Sequence, residues 1–234
     1  MQFMGAGSYG LIYLCEDLQT KEPRAVKQLR PSKRRSKKER VQFEHEVTII
    51  KTLNHPQMPV IYDVFSENDS HFYAMSYIEG DNLEEELFLN KKTFTEKESL
   101  LVLSQLIHLV AYLHEKNIYH QDLRTSNILI KDYQPFLIDF GLSKKINSLQ
   151  SKHDPSAVSG LQQQDFYDLG ELLLFLLYSP YSFKGKRALP WTEELSLEEE
   201  TAYLLKRLLG IRDRYPDTYE MAKDVEAAIK AQKD

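Results

Sequence analysis

The chain has 234 residues, 42% of them hydrophobic and 28% charged, which is enough to bury one substantial core or two smaller ones. A formal net charge of −5 argues against a nucleic-acid-binding protein, so any basic function must be local. The single cysteine, Cys15, excludes an internal disulfide framework and a zinc site of several thiolates, and it favours a reducing, cytoplasmic compartment. The longest apolar run, residues 172–177, falls far short of the roughly twenty residues of a membrane span. We therefore expect a buried helix there and no membrane span.

The first predicted elements are a glycine-rich turn and the two strands that follow it. The turn has the G-x-G-x-x-G form and consists of Gly5, Ala6, Gly7, Ser8, Tyr9 and Gly10. A dinucleotide-binding fold would continue with a helix, but the β-forming runs 11–14 and 25–29 follow instead. The pattern therefore predicts a hairpin whose glycine turn covers phosphates, with Lys27 on the return strand beneath it.

A dense basic run, residues 30–40, follows the hairpin in a chain that is acidic overall. The simpler interpretation is a solvated loop that leads into the first turn of a helix. The alternative is a docking patch for an acidic partner or an anionic surface. Apolar residues at helical intervals over 41–53 predict the helix, and Pro56 ends the pattern.

Two more strands and a series of helices complete the predicted fold. With a short edge strand before the glycine turn, the β-forming runs 60–65 and 71–77 complete a five-stranded antiparallel sheet. Helical patterns dominate from Thr95, which opens a capping box, and a second capping box is predicted at Ser196. The fold class is therefore α+β.

The residues suited to catalysis are concentrated in two stretches of the C-terminal part. His120, Gln121 and Asp122 precede Asn127, and Asp139-Phe140-Gly141 follows. An aspartate to orient a hydroxyl, an asparagine to hold a metal and an Asp-Phe-Gly sequence, in this order, are typical of phosphoryl transfer by protein kinases. The chain thus resembles the eukaryotic-type protein kinase family over essentially its whole length, and most of all its compact bacterial serine/threonine members.

The resemblance implies a two-lobed fold, with an N-terminal lobe at residues 1–77 and a mostly helical C-terminal lobe at residues 78–234. It also implies ATP and Mg²⁺ as ligands. Lys27 would bind the α- and β-phosphates, and the backbone amides of the glycine turn would cover them. Asn127 and Asp139 would hold Mg²⁺.

The resemblance assigns the transfer step itself to the loop around Asp122. Asp122 would accept the proton of the substrate hydroxyl or orient that hydroxyl, and Arg124 would offset charge on the transferred group. Lys27 would need a carboxylate partner, for which Glu44 and Glu46 compete. We choose Glu46 because the apolar pattern after it matches the family's main N-lobe helix.

Residues 75–80 resemble the hinge that binds adenine in the family. Backbone groups of Ser76 and Ile78 would hydrogen-bond adenine, with the Met75 side chain behind it and Asn82 near the ribose. Backbone recognition leaves no signature in side chains, so these assignments rest on alignment alone.

The chain departs from the family pattern at three places. Gln121 stands where many members carry an arginine that binds a phosphorylated residue, so activity should not require phosphorylation of the activation segment. Arg124 replaces the lysine usual in serine/threonine kinases. The segment between Gly141 and Asp165 is short and lacks the Ala-Pro-Glu sequence, and we expect residues 148–164 to form a loop that is either mobile or ordered by a partner.

Three functions fit these observations. The first is an ATP-dependent kinase that acts on serine or threonine hydroxyls of a protein substrate. The second is a kinase of the same fold that acts on a small molecule, which the missing peptide platform favours. The third is a pseudokinase or scaffold, against which the complete set of catalytic residues argues. No nucleic-acid partner is expected.

Overall fold

The computed structural model describes residues 1–7, 10–147, 154–182 and 189–232. Contacts group the chain into two units, Met1–Gly80 with Phe136–Ser143, and Asp81–Pro135 with Lys144–Asp234. The first boundary lies close to the predicted boundary after residue 77. The segment Phe136–Ser143, which contains Asp139, packs with the first unit, and Leu137 N–H donates to the Gln57 carbonyl at 3.0 Å as one of its contacts.

A five-stranded antiparallel sheet forms the first unit, as predicted. Its strands in chain order are β1 (Gln2–Ala6), β2 (Gly10–Glu16), β3 (Pro23–Leu29), β4 (Ile61–Glu67) and β5 (Ser70–Ser76). They lie in the order β1-β2-β3-β5-β4, so β3 is central and holds Lys27 within the sheet. The turn between β4 and β5 places Asn68 and Asp69 at positive φ, which these two residue types tolerate well.

Helix α1 (Lys37–Ile50) covers one face of this sheet. Phe43 and Val47 form a buried cluster with Leu29 and Tyr73 of the strands. The Ser36 side chain caps the helix by accepting a hydrogen bond from Glu39 N–H. The helix therefore begins inside the basic run, so residues 37–40 form its first turn, as the simpler interpretation of the run expects.

The second unit is mostly helical. Its helices are α2 (Leu83–Phe88), α3 (Glu96–Glu115), α4 (Pro155–Tyr178), α5 (Trp191–Glu194), α6 (Glu199–Leu208) and α7 (Thr218–Ala231). Helix α3 packs against α4 and α7, and the predicted apolar run lies in α4, where its residues Leu172, Leu173, Leu176 and Leu177 are buried and Phe175 is exposed. With the sheet of the first unit, these helices confirm the α+β class.

Short strands connect the helices of the second unit. They are β6 (Asp81–Asn82), β7 (Ile118–Tyr119), β8 (Ile128–Lys131), β9 (Gln134–Leu137), which ends in the first unit, and β10 (Lys144–Lys145). Strand β6 pairs with β8 and β10 pairs with β7, so the loop between β7 and β8 is held at both ends. Over the described ranges, no helix has the length and apolar character needed to cross a membrane.

The helix ends correct two predictions. The capping box at Thr95 is present, but α6 begins at Glu199 after Glu198, and no side chain of the described residues caps it. The loop predicted for residues 148–164 is wrong over its second half, since α4 begins at Pro155. Asp154 accepts a hydrogen bond from Ala157 N–H at 2.9 Å, and proline favours the first turn of a helix. Residues 148–153 lie outside the described residues.

Candidate active site

The centre of the first unit's site is the buried side chain of Lys27. Its Nζ lies 2.6 Å from Glu46 Oε1 and 3.1 Å from Asp139 Oδ1. Lys27 is 5% exposed and Glu46 is 2% exposed, whereas the side chain of Asp139 is 43% exposed. Glu46, not Glu44, is thus the partner that the structure gives to Lys27.

Lys27 links two carboxylates of like charge: burial and the nearby Asp139 raise the pKa of Glu46, and Lys27 opposes this rise. Burial lowers the pKa of Lys27, but Glu46 and Asp139 outweigh it, so the pKa lies above its usual value and Lys27 stays protonated. Burial raises the pKa of Asp139, yet Lys27 and hydrogen bonds bring it below the usual value. Tyr73 O–H donates to Glu46 Oε1 at 2.9 Å, and burial keeps the pKa of Tyr73 well above its usual value. The sequence interpretation missed this tyrosine, whose place opposite Lys27 depends on strand pairing.

Two glycines allow the close packing around Lys27. A Cβ on Gly10 would lie 2.9 Å from Lys27 Cγ, closer than two carbon atoms can approach. A Cβ on Gly141 would lie 3.0 Å from Asp139 Oδ1, while the Gly141 N–H donates to that same oxygen at 3.1 Å. The Gln42 side chain also donates to the Gly141 carbonyl, so α1 carries both this contact and Glu46.

The glycine turn joins β1 to β2. Gly7 N–H donates to the Gly10 carbonyl at 2.9 Å, and Arg30 Nε donates to the Gly7 carbonyl at 2.7 Å. A side chain on Gly5 or Gly7 would meet no described atom within 4 Å. Ala6 ends β1, and the predicted site residues Ser8 and Tyr9 lie outside the described residues.

The residues predicted to form the adenine-binding hinge make different contacts in the structure. Ser76 N–H donates to the Val60 carbonyl at 2.9 Å, and Met75 packs against the buried cluster of the first unit. Ile78 follows β5 and is half-buried. Asn82, in the second unit, caps α2 by accepting from Glu85 N–H at 2.9 Å, a structural role that the sequence interpretation missed.

The loop between β7 and β8 in the second unit carries Asp122, Arg124 and Asn127. Asn127 Nδ2 donates to the Asp122 carbonyl at 2.9 Å and to Asp122 Oδ2 at 2.8 Å. Both amide hydrogens of Asn127 are therefore used inside the loop, which leaves its Oδ1 as the atom for a metal. Arg124 is exposed.

Helix α4 holds the backbone of this loop through Asp165. The Asp165 carboxylate accepts from His120 N–H at 3.0 Å and from Gln121 N–H at 2.8 Å. His114 Nε2 also lies 2.8 Å from Asp165 Oδ2. Gln121, which adopts a positive φ of 64°, uses its Nε2 to donate to the Leu161 carbonyl at 2.8 Å. The side chain that replaces a phosphate-binding arginine is therefore engaged by α4.

Asp168, one helical turn after Asp165, supports the same loop. Its Oδ2 accepts from Leu123 N–H at 3.3 Å, and its Oδ1 accepts from Gln164 Nε2 at 2.7 Å. Burial raises the pKa of Asp168 to about 6. The sequence interpretation missed this role, although the spacing of Asp165 and Asp168 on one helix face could have indicated it.

Each unit offers one side chain whose donor atom is of a type that a hard divalent cation binds. Asp139 offers an ionised, partly exposed carboxylate, and Asn127 offers an amide oxygen, which are ligand types that Mg²⁺ prefers. Within the described part of the chain, no group of three histidine, cysteine, aspartate or glutamate side chains could hold a metal alone. Mg²⁺ usually keeps few protein ligands beside phosphates and water, so the residues fit it.

Comparison with known proteins agrees with this geometry. The family model described as protein kinase domain matches residues 1–167. The probable serine/threonine-protein kinase YbdM of Bacillus subtilis is 44% identical over 228 residues, which cover 97% of this chain and 88% of YbdM.

More distant relatives match parts of longer proteins. The serine/threonine-protein kinase PrkC of Bacillus subtilis is 26% identical over 99% of this chain, but the match covers 40% of PrkC. A probable myosin light chain kinase of Dictyostelium discoideum is 33% identical over 60% of this chain and 44% of its own length. The family model and the YbdM match each cover most of the chain. The chain belongs to the protein kinase family.

Proposed function

We propose that this chain is an ATP-dependent serine/threonine protein kinase that uses Mg²⁺. The observation that carries the proposal is the buried, protonated Lys27 between Glu46 and Asp139. A buried ammonium with fixed partners has little rotamer freedom left to lose, so it is prepared to bind phosphate oxygens.

In this proposal the first unit binds the phosphates and the adenine of ATP. Lys27 binds the α- and β-phosphates, and Glu46 fixes the position of Lys27. The backbone of Gly5, Ala6, Gly7, Ser8, Tyr9 and Gly10 covers the phosphates. Adenine is bound by the backbone of Ser76 and Ile78 beside Met75. Asn82 is proposed to lie near the ribose. Its Oδ1 accepts the hydrogen bond that caps α2, so its Nδ2 is the atom proposed to face the ribose.

The second unit acts on the substrate hydroxyl. Asp122 orients this hydroxyl and accepts its proton, and the two hydrogen bonds from Asn127 hold Asp122 in place. Arg124, which is exposed beside Asp122, offsets negative charge on the transferred group. Most of the rate then comes from positioning and electrostatics rather than from a covalent step on the protein.

Asn127 and Asp139 are proposed as the protein ligands of Mg²⁺. When bound, Mg²⁺ offsets the charge of the phosphate oxygens. The lowered pKa of Asp139 supports this role, because the carboxylate stays ionised throughout the physiological pH range.

The names of the relatives support a protein substrate. YbdM and PrkC are both described as serine/threonine-protein kinases, which favours a serine or threonine hydroxyl over a small molecule or a scaffold function. For the basic run at residues 30–40 we keep the two alternatives of the sequence analysis: the run is solvated, or it binds an acidic partner. A cytoplasmic location remains a prediction from the single cysteine.

The test is transfer of label from terminally labelled ATP, with Mg²⁺, in a cell extract. We expect label in acid-precipitable protein, on phosphoserine or phosphothreonine after hydrolysis, and a loss of at least a thousandfold with Asp139→Asn. The matched control is Asp132→Asn, which changes an exposed aspartate in the same way and should retain activity. Label confined to acid-soluble small molecules, or label that survives Asp139→Asn, would contradict the proposal.

A further inference from the structure

A groove leads away from Asp122 inside the second unit. It consists of two adjoining cavities of about 560 and about 590 Å³ that share Phe88, Glu171 and Phe175. The first cavity also includes Asp122 and Arg124, so the groove begins at the proposed transfer site.

Two helices form the walls of the groove, and each presents one face. Helix α4 contributes residues at helical intervals, namely Gln164, Asp168, Glu171, Leu172, Phe175 and Tyr178. Helix α2 contributes Glu84, Leu87 and Phe88 in the same way. Gln121 ties the first turns of α4 to the catalytic loop, so the wall is already in place without phosphorylation.

The part of the groove nearest Asp122 is acidic. Glu84 and Glu171 are exposed there, and neither forms an ion pair with a described residue. Asp168 adds a third carboxylate at the base, where it accepts hydrogen bonds from the loop and from Gln164. Among the described lining residues, Arg124 is the cation, and it lies beside Asp122 at the mouth. This end of the groove therefore complements a positive side chain.

The far part of the groove is apolar. It is lined by Leu87, Phe88, Leu174, Phe175 and Tyr178. Phe88 is 59% exposed and Phe175 is 51% exposed, although both are large apolar side chains. Exposed aromatic side chains that converge on a cavity favour binding of another apolar side chain.

Helix geometry gives the spacing of these two parts. Asp168 contacts the loop at Leu123. With a rise of about 1.5 Å per residue, Glu171 lies about 4.5 Å further along α4, Phe175 about 10.5 Å and Tyr178 about 15 Å. An extended peptide covers about 3.3 Å per residue. The acidic part is thus reached within about two residues of the acceptor, and the apolar part about three to five residues from it.

We propose that this groove selects protein substrates that carry a lysine or arginine about two residues from the acceptor hydroxyl and a large apolar residue two or three positions further on the same side. Glu84 and Glu171 bind the basic side chain, and Phe88 and Phe175 bind the apolar one. The inference rests on the proposed function, because it names the substrate class of the same transfer site.

The test uses the full chain and synthetic peptides with one serine. One peptide carries Arg two residues and Leu four residues before the serine, and a second carries them after it. Matched peptides replace Arg by Ala or Glu, or Leu by Ser. We expect one orientation to be preferred, with kcat/KM about tenfold above its Ala peptide and lower still for the Glu peptide.

Substitutions in the groove test whether the groove causes the preference for Arg and Leu in the peptides. The double variant Glu84→Gln with Glu171→Gln should remove most of the preference for Arg, and Phe175→Ser should remove the preference for Leu. Glu171→Lys should turn the preference towards the Glu peptide. The control Glu226→Gln changes an exposed glutamate of α7, outside the groove, and should leave the ratio of the peptides unchanged.

Two failures are distinguishable. If the wild type phosphorylates all peptides with equal kcat/KM, or if the double variant keeps the preference for Arg, the inference is overturned and the proposed function stands. If neither peptides nor proteins of an extract are labelled, the proposed function itself fails.

Discussion

The two units hold their proposed catalytic residues by different physical means. In the first unit, Lys27, Glu46 and Asp139 hold one another through charge in a largely buried cluster. In the second unit, Asp165 and Asp168 act on the loop by accepting hydrogen bonds from its backbone N–H groups. The first arrangement fixes one side chain, and the second fixes the path of the chain around Asp122.

The difference predicts how each region fails. A buried charge cluster depends on every partner, because removal of one leaves another charge without compensation. A backbone held by carboxylates depends on acceptors, and their loss leaves buried N–H groups unsatisfied. Changes in either unit should therefore lower stability, and changes in the first unit should in addition displace Lys27 and so act strongly on catalysis.

Among the variants that test this comparison of the two units, Glu46→Gln should have the largest effect on catalysis. Lys27 would keep Asp139 but lose its shortest ion pair, and Asp139 would be drawn towards Lys27 and away from a metal. We expect kcat/KM for phosphoryl transfer to fall about a hundredfold, as a misplacement of about 1 Å can cost that much. Steady-state transfer of label from ATP measures it.

Glu44→Gln is the matched control, since Glu44 is exposed on the same helix. It should alter kcat/KM by less than about twofold, as expected for an exposed position. Equal losses in the two variants would show that the ion pair of Lys27 with Glu46 does not position the lysine for catalysis.

The next effect concerns stability and the loop of the second unit. Asp165→Ala removes the acceptor of two backbone N–H groups and of His114. Each buried donor left unsatisfied costs about 1–3 kcal/mol, so we expect the free energy of unfolding to fall by about 3 kcal/mol or more. Denaturant unfolding measures this change.

Asp154→Ala serves as the comparison for this variant, because it removes an aspartate from the exposed start of the same helix. Loss of such a cap costs about 1 kcal/mol. If Asp165→Ala were no more destabilising than Asp154→Ala, the backbone hydrogen bonds would not hold the loop.

A smaller effect depends on pH through Asp168. Its pKa is about 6 in the folded protein and near 3.8 when unfolded, so the folded state binds more protons between these values. The free energy of unfolding therefore falls as pH rises through this window, by at most about 3 kcal/mol, and Asp168 adds no such slope below it.

Asp168→Asn should remove this slope. The substitution also alters the hydrogen bonds to Leu123 and Gln164, but that cost does not vary with pH. We expect the stability of the variant relative to the wild type to improve by about 1–3 kcal/mol between pH 4.5 and pH 7.5, as measured by denaturant unfolding at both pH values. A difference that stays constant with pH would mean that Asp168 has an ordinary pKa in the folded protein.

The same comparison explains what the sequence predicted. Glu46 was identified because its helix has a clear apolar pattern, and the five-stranded sheet followed from alternating β-forming runs and turns. Tyr73 and Gln42 were missed because their contacts depend on strand pairing and helix placement, which bring together residues far apart in the chain.

The start of α4 was missed for a local reason. Residues 155–164 are rich in serine and glutamine, which a pattern of apolar residues does not mark as helical. Two features of the sequence did indicate a helix start, namely Asp154 as a cap and Pro155 in the first turn. The hydrogen bond from Gln121 to the Leu161 carbonyl depends on the fold and could not be predicted. The groove proposed to bind substrates follows from this helix, so it could not be predicted from the sequence.

The smallest effect is expected for removing the serines of the segment before α4 and in its first turns. Gln121 already donates a hydrogen bond to the Leu161 carbonyl of α4, so no phosphorylated residue is needed to hold the first turns of α4 against the loop that carries Asp122. Ser148, Ser151, Ser156 and Ser159, all replaced by alanine, should leave kcat within about twofold of the wild type. Ser143 is kept, because it is 1% exposed and its replacement would disturb packing. Phosphatase treatment of the wild type should be equally without effect, and a collapse of activity in either experiment would show that phosphorylation activates this kinase.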